Sequence, residues 1–177
     1  TQYRRDIVAP MFPLPLSDDL FSLQGGEQRL TKTVEMRFAP DGRLISHEIF
    51  RSVFVNNHRI DAADAQLSAD GQRDKPALGD ALRTMAALSA RHAGATAGVS
   101  HSLKRMMEYF TILSAHLVAK DLAAAGIHTS YRNQEQRNAK SSYGPQPLGH
   151  VGLGLDAYVQ WTAPMRRYAD LDVHRAI

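Results

Sequence analysis

The sequence contains no cysteine among its 177 residues. Disulfide bonds and thiolate zinc sites are therefore excluded, and nothing in the composition indicates an oxidising compartment. Eight histidines are present, but they form no H-E-x-x-H motif and no cluster with carboxylates at the spacing of a metal site. We therefore predict a cytoplasmic protein with no metal ligands within this chain.

Long apolar runs are also missing. No stretch approaches the roughly 18 residues that a membrane-spanning helix needs, and the opening TQYRRDIVAP lacks the apolar core of a signal peptide. The 21 Lys and Arg exceed the 18 Asp and Glu only slightly, for a net charge of +3. This mildly basic balance permits a polyanionic partner without requiring one. With 44% hydrophobic and 22% charged residues, we expect a folded globular domain and no membrane segment.

Hydrophobic periodicity predicts an α+β fold. Alternating side chains over residues 30–38, a turn at Pro40-Asp41-Gly42 and a β-branched stretch over residues 44–55 predict a β-hairpin. Helical spacing predicts one helix over about residues 78–93 and a longer one from about residue 100 to Gly126. The expected architecture is therefore an antiparallel or mixed sheet that contains this hairpin and is flanked by helices.

The carboxy-terminal stretch carries the strongest functional signal. Thr162 is predicted to cap a helix with Pro164 in its first turn, which places Arg166 and Arg167 near the amino end of that helix. This end already carries partial positive charge and unpaired N–H groups, so the arginines lower stability unless an anion lies nearby. A phosphate would be such an anion. An ion-pair face with Asp170 explains the arrangement equally well, because such pairs stabilise a helix by about 0.2–0.5 kcal/mol.

Two other residues are candidates for binding. Glu108 has apolar neighbours in the predicted long helix, so it lies on the solvent stripe or meets a partner, for which Arg105 is the simplest choice. Tyr3, followed by Arg4 and Arg5, joins an aromatic ring to phosphate-attracting charge, a pairing used in single-stranded nucleic-acid binding. By itself this tyrosine is an ordinary surface feature.

Two ordered sets of motifs resemble the ribonuclease II catalytic domain, the RNB domain of 3′–5′ exoribonucleases. Near the amino end the chain reads TQY, PMFP and LSDDLFSL, where that family has T-x-Y, P-M-L-P and L-S-D-D-L-C-S-L. Near the carboxyl end it reads HVGLG, WTAPMRRYAD and HR, where the family has H-F-G-L-G, [W/F]-T-S-P-I-R-R-Y-x-D and H-R. The likeness covers nearly the whole chain and is weakest over residues 57–100.

The resemblance implies a processive 3′–5′ exoribonuclease that uses Mg²⁺ to release nucleoside 5′-monophosphates from single-stranded RNA. It implies that Arg166 contacts the scissile phosphate and stabilises charge that develops during hydrolysis. Tyr3 would stack on the 3′-terminal base, and Glu108 would hydrogen-bond a ribose hydroxyl. Arg167 would be a neighbouring phosphate contact.

The chain also departs from the family pattern. The family's metal-binding aspartates precede the tyrosine segment, so the Mg²⁺ ligands are expected upstream of Thr1 and this chain alone is expected to be inactive. The family's ribose-contacting tyrosine falls near Ala62, which leaves the selectivity for RNA over DNA open. Residues 93–100 are too few for the family's hairpin with its base-wedging phenylalanine, and no oligonucleotide-binding barrel is visible.

The chain lacks an initiator Met and stops within a predicted helix. We therefore expect residues 1–177 to be the carboxy-terminal part of a ribonuclease II-like catalytic domain, with a monomer favoured. The alternative is a catalytically inactive RNA-binding or scaffolding module of the same fold. An enzyme acting on phosphorylated small molecules is a third reading, and it predicts nucleotide binding that does not depend on RNA length.

Overall fold

The computed structural model describes residues 2–4, 7–72, 75–93 and 99–177, with side chains described from Ala9 onward except at residues 62, 93 and 99–102. It contains helices and small two-stranded sheets, so the predicted α+β class is confirmed. The strands are β1 (Gln2–Arg4), β2 (Ile7–Ala9), β3 (Gln28–Phe38), β4 (Leu44–Val55), β5 (Tyr131–Asn133) and β6 (Ser142–Gly144). The α-helices are α1 (Ala62–Ala69), α2 (Pro76–Ala93), α3 (Val99–Ala124) and α4 (Tyr168–Ala176).

The predicted hairpin is confirmed as β3 and β4. At its tip the Ala39 N–H donates to the Arg43 carbonyl at 2.8 Å, and the Gly42 N–H donates to the Ala39 carbonyl at 2.8 Å. Gly42 has φ +92°, a conformation that side chains with a Cβ rarely adopt. The Asp41 side chain accepts the Arg43 N–H at 2.9 Å. The turn residues therefore fix the register of the two strands.

The chain divides into two compact units. The first contains Thr1–Glu35, Glu48–Asn56 and Leu113–Ile177, and the second contains Met36–His47 and Asn57–Ile112. The hairpin and α3 each contribute one part to each unit. Neither unit is therefore a continuous piece of chain.

The second unit packs its helices through small residues and the hairpin tip. A Cβ atom on Gly79 would lie 2.4 Å from the Ser68 carbonyl oxygen, so α1 and α2 approach closely only because this residue is glycine. Arg91 donates to the Pro40 carbonyl at 2.7 Å, and the ring of His92 bonds the Gly42 carbonyl at 2.8 Å. These bonds attach the end of α2 to the hairpin turn.

The first unit contains the main hydrophobic core. Its buried residues come from the second half of α3, from β5, from the segment before α4 and from α4: Ala115, Val118, Ala119, Leu122, Tyr131, Ala157, Val159, Trp161 and Val173. The Tyr131 ring is fully buried, and its hydroxyl donates to the Ile127 carbonyl at 2.9 Å. This pairing satisfies a polar group that would otherwise be costly inside the core.

No helix within the described part of the chain is long and apolar enough to cross a bilayer.

Candidate functional site

Arg166 and Arg167 lie in a turn that precedes the carboxy-terminal helix. The N–H groups of both residues donate to the Ala163 carbonyl at 3.1 Å, and α4 begins only at Tyr168 with Arg167 as its N-cap in an extended conformation. The prediction that Thr162 caps this helix, with Pro164 in its first turn, is therefore wrong. The sequence pattern missed the tight turn at 163–167, which is bonded by a side chain from within the helix.

That side chain belongs to Asp170, which is fully buried. Its Oδ2 atom accepts the Ala163 N–H at 2.8 Å. The same oxygen accepts two bonds from the Arg167 guanidinium, from Nε at 3.0 Å and from Nη2 at 2.6 Å. One carboxylate oxygen thus binds the Ala163 backbone and the Arg167 side chain, at the two ends of the turn.

The two arginines consequently differ in their surroundings. The Arg167 side chain is held by the buried Asp170 carboxylate and also donates to the Thr162 hydroxyl at 3.2 Å. The Arg166 side chain is exposed to solvent. The predicted ion pair with Asp170 is therefore made by Arg167, and the Arg166 side chain beside it is exposed.

Tyr158 lies near Arg167 of this turn and also near Arg132 of β5. Burial raises the pKa of the Tyr158 hydroxyl, while the guanidinium groups of Arg132 and Arg167 act in the opposite direction. Tyr158 therefore lies within the electrostatic field of both arginines. Its ring also packs edge-on against His150, with the ring centroids 5.4 Å apart.

Arg132 and Tyr143 form a cross-strand pair that sequence reasoning missed. They are directly opposite in the register of β5 and β6, and the Arg132 guanidinium carbon lies 5.6 Å from the centre of the Tyr143 ring. Arg132 donates to the Ser141 and Tyr143 hydroxyls at 3.0 and 3.2 Å. Tyr143 remains 50% exposed, so the pair offers an aromatic face beside a positive charge. Strands of three residues carry too little periodicity to predict such a pairing.

An open groove of about 380 Å³ runs beside Tyr143 in the first unit. Its lining combines aromatic, small and polar residues: His128, Thr129, Ser130, Tyr143, Gly144, Pro145 and Asp172. The Asp172 Oδ2 atom accepts bonds from the Thr129 hydroxyl at 3.0 Å and the Ser130 hydroxyl at 2.7 Å. These bonds fix the carboxylate in the wall of the groove.

The other predicted site residues lie elsewhere in the chain. Tyr3 lies in β1, but its side chain is outside the described residues. Glu108 is exposed on α3 in the second unit, which agrees with the solvent-stripe alternative. Ala62 begins α1, and its side chain is likewise outside the described part.

The described residues do not fit a metal ion. Among them, no group of three or more His, Cys, Asp or Glu side chains is arranged to hold one. Asp19, which lies in a π-helical segment over Pro15–Leu20, pairs with Arg29 at 3.1 Å instead. The Mg²⁺ that the family resemblance implies therefore has no ligand set in this part of the chain.

We expect His174 to make the stability of the first unit depend on pH. Burial lowers the pKa of His174 below its ordinary value near 6.5. The hydrogen bond to the Trp161 carbonyl opposes this shift, the charge of Lys32 adds to it, and Asp170 has the smallest effect, in the raising direction. Its Nε2 atom bonds the Trp161 carbonyl at 2.8 Å. The unfolded chain takes up a proton near pH 6.5 while the folded ring stays neutral, so stability is fully present above that pH and falls as the pH drops below it.

We expect His174→Gln to lose less stability than the wild type as the pH falls, because glutamine can donate to the same carbonyl and does not titrate. The measurement is the urea midpoint at several values between pH 7.5 and 5 for the wild type, His174→Gln and the exposed control His58→Gln. The burial of His150 lowers its pKa as well, so part of the slope remains in His174→Gln. An unchanged slope in His174→Gln would contradict the assignment.

Comparison with known protein families shows the family to which this chain belongs. The family model described as the RNB domain matches residues 1–95 and 137–177. The chain belongs to the RNB domain family. The resemblance found in the sequence motifs is thereby confirmed, and the second matched segment contains the Arg166 turn and α4.

Relatives in this family are much longer than the chain. Ribonuclease R of Chlamydia pneumoniae is 24% identical over 250 residues, an alignment that covers 96% of this chain and 37% of the relative. The chain therefore spans well under half the length of this RNB relative.

Solved structures share the fold. RNase R of Mycoplasma genitalium matches with a TM-score of 0.80 at 17% identity, over 94% of this chain and 39% of that one; it has also been solved with ribose-methylated single-stranded RNA and with double-stranded RNA. Yeast Ssd1, described as a pseudonuclease, matches with a TM-score of 0.74 at 15% identity, over 94% of this chain and 31% of that one. The RNB fold thus occurs both in RNase R and in a pseudonuclease.

Proposed function

We propose that this chain is part of a processive 3′–5′ exoribonuclease that hydrolyses single-stranded RNA to nucleoside 5′-monophosphates. The observation that carries the proposal is the exposed Arg166 guanidinium on a turn that Asp170 holds at both ends, within a segment that matches the RNB domain. A fixed cation beside a reacting phosphate stabilises the charge that develops as the phosphodiester bond breaks.

In this proposal the chain carries the arginine and tyrosine half of the active site. Arg166 binds the scissile phosphate. Arg167 adds positive potential to the same region, although its guanidinium is held by Asp170. Tyr3 stacks on the 3′-terminal base, and the exposed Glu108 carboxylate accepts a hydrogen bond from a ribose hydroxyl.

We also propose that the enzyme uses Mg²⁺ and that the ligands of this metal lie outside the described residues. When bound, the metal would supply an activated water and stabilise the leaving oxygen. We propose that upstream aspartates hold it in the full-length protein. This chain alone is then inactive.

The test is an activity assay on the full-length protein. Expected results are decay of 5′-labelled single-stranded RNA from a free 3′ end, release of nucleoside monophosphates, and loss of decay in EDTA. Matched substrates with a blocked 3′ terminus, and DNA of the same sequence, report end dependence and sugar selectivity. Tight RNA binding without any magnesium-dependent decay would contradict the enzyme.

That contrary result would favour an RNA-binding module without turnover. The observation that keeps this second function in view is the likeness to Ssd1, described as a pseudonuclease. In that case Arg166 would still bind a phosphate, so the binding and activity assays distinguish the two functions.

RNA binding should weaken as salt increases, since each phosphate contact releases counterions. Removing one such contact lowers the slope of log K against log salt by about 0.7 for a single strand. We therefore expect Arg166→Ala to reduce the slope by about that amount in the full-length protein. The measurement is fluorescence anisotropy in EDTA across a salt series, and a slope equal to that of the wild type would exclude a phosphate contact.

A further inference from the structure

Asp170 is placed to do more than neutralise a neighbouring arginine. It lies in the first turn of α4, where an acidic side chain usually interacts with the backbone N–H groups of its own helix. Its carboxylate instead reaches back across the preceding turn, to the Ala163 N–H at 2.8 Å and the Arg167 side chain. The local stabilisation that a first-turn acid gives its own helix does not account for these bonds.

The bonding of this carboxylate is also one-sided. Oδ2 takes all three hydrogen bonds, whereas Oδ1 is buried without a partner among the described residues. An unsatisfied oxygen and a buried carboxylate are both unfavourable, and charged pairs with buried members can often be replaced by apolar residues without loss of stability. Stability alone therefore does not explain why this position carries a charge.

The position of the bonds indicates a different role. Ala163 and Arg167 are the two ends of the turn that contains Arg166, and the Ala163 carbonyl accepts the N–H groups of Arg166 and Arg167 at 3.1 Å. Since one oxygen of Asp170 bonds the backbone N–H of Ala163 and the side chain of Arg167, we infer that the path of the backbone at Arg166 depends on that carboxylate. A shift of this path would move the exposed guanidinium.

We propose that Asp170 is a positioning residue that aims Arg166 at the RNA phosphate. This inference rests on the proposed function. Asp170 itself touches no RNA, because its side chain is fully buried. It acts through the 163–167 turn. We call Asp170 and the Arg167 side chain that it binds the clamp.

The test replaces the clamp without leaving a buried charge. In the full-length protein, the paired variant Arg167→Met, Asp170→Leu removes both charges and leaves Arg166 in place. We expect it to fold, with kcat for single-stranded RNA lowered by about 10²-fold, the loss typical of a misplaced group, and KM changed far less. Asp80→Leu, Arg83→Met is the matched control, because it removes an exposed pair of the same residue types at the same spacing.

A mutant cycle separates positioning from a general effect on the fold. If the clamp acts through Arg166, adding the paired replacement to Arg166→Ala lowers kcat no further. Equal losses in the presence and absence of Arg166 would overturn the proposal. So would a paired variant as active as the Asp80–Arg83 control.

The same cycle on RNA affinity in EDTA keeps the inference independent of turnover. If the full-length wild type binds RNA but does not degrade it, the proposed exonuclease function fails. The positioning role of Asp170 is then tested by RNA affinity: it requires that Arg166→Ala and the paired replacement weaken binding non-additively. Additive effects on affinity, or no effect of Arg166→Ala on either readout, would overturn it. A paired variant that fails to fold would also contradict the proposal, since it would show that the pair is required for stability.

Discussion

Replacing Arg166 with alanine in the full-length protein is expected to lower kcat for single-stranded RNA by about 10²–10³-fold, the usual effect of removing one group that stabilises developing charge. The side chain is exposed, so the free energy of unfolding should change by less than about 0.5 kcal/mol. A large loss of rate without a loss of stability is what distinguishes a residue that contacts the substrate from one that supports the fold. Single-turnover decay of labelled RNA and urea unfolding measure the two quantities.

Two variants sharpen this result. Arg166→Lys keeps the charge but loses the planar fork that binds two phosphate oxygens at once, so it should recover only part of the rate. Arg43→Ala removes an exposed arginine from the hairpin tip in the second unit and should leave the rate unchanged. If Arg166→Ala and Arg43→Ala behave alike, the proposed role of Arg166 is wrong.

The predictions that succeeded depended on local chemistry. Alternating side chains, the Pro40-Asp41-Gly42 turn and the positive φ of Gly42 all lie within one hairpin, so a short window of sequence contains the information that specifies it. The prediction of α2 is close for the same reason, because its periodicity extends over several turns.

The start of α4 depended on a contact that local rules do not contain. Thr162 and Pro164 are favourable residues for the start of a helix, and both stand one turn too early. The bond from Ala163 N–H to Asp170 competes with helix formation at 163–166. A side chain seven residues away therefore decides where the helix begins.

The candidate site was only partly visible in the sequence. The RR pair predicted either an anion site or an ion-pair face, and only the structure shows that the buried Asp170 carboxylate pairs with Arg167. Arg132 and Tyr143 gave no signal, because the pairing of two three-residue strands brings them together. Short strands of this kind are specified by tertiary packing, which a single sequence does not display.

Trp161 connects the turn to the core. Removing its ring should lower the free energy of unfolding more than any other single substitution proposed above. The ring is buried, its Nε1 donates to the Ser114 hydroxyl of α3 at 3.3 Å, and it packs against His174 with ring centroids 5.7 Å apart. Its carbonyl also receives the bond from His174. The residue thus anchors both α3 and α4 immediately before the segment that carries Arg166.

Trp161→Ala is therefore expected to lower the free energy of unfolding by about 3–5 kcal/mol, the range for removing a buried aromatic ring. Trp161→Phe retains most of the apolar volume and should cost much less, while Tyr168→Ala, at a residue that is 65% exposed, should change stability by less than about 0.5 kcal/mol. Hydrogen exchange resolved to the amides of α3 and α4 measures the local effect within the full-length protein. If Trp161→Ala loses no more protection than Tyr168→Ala, the indole is not the anchor, and the fixed position of the turn must come from Asp170 without it.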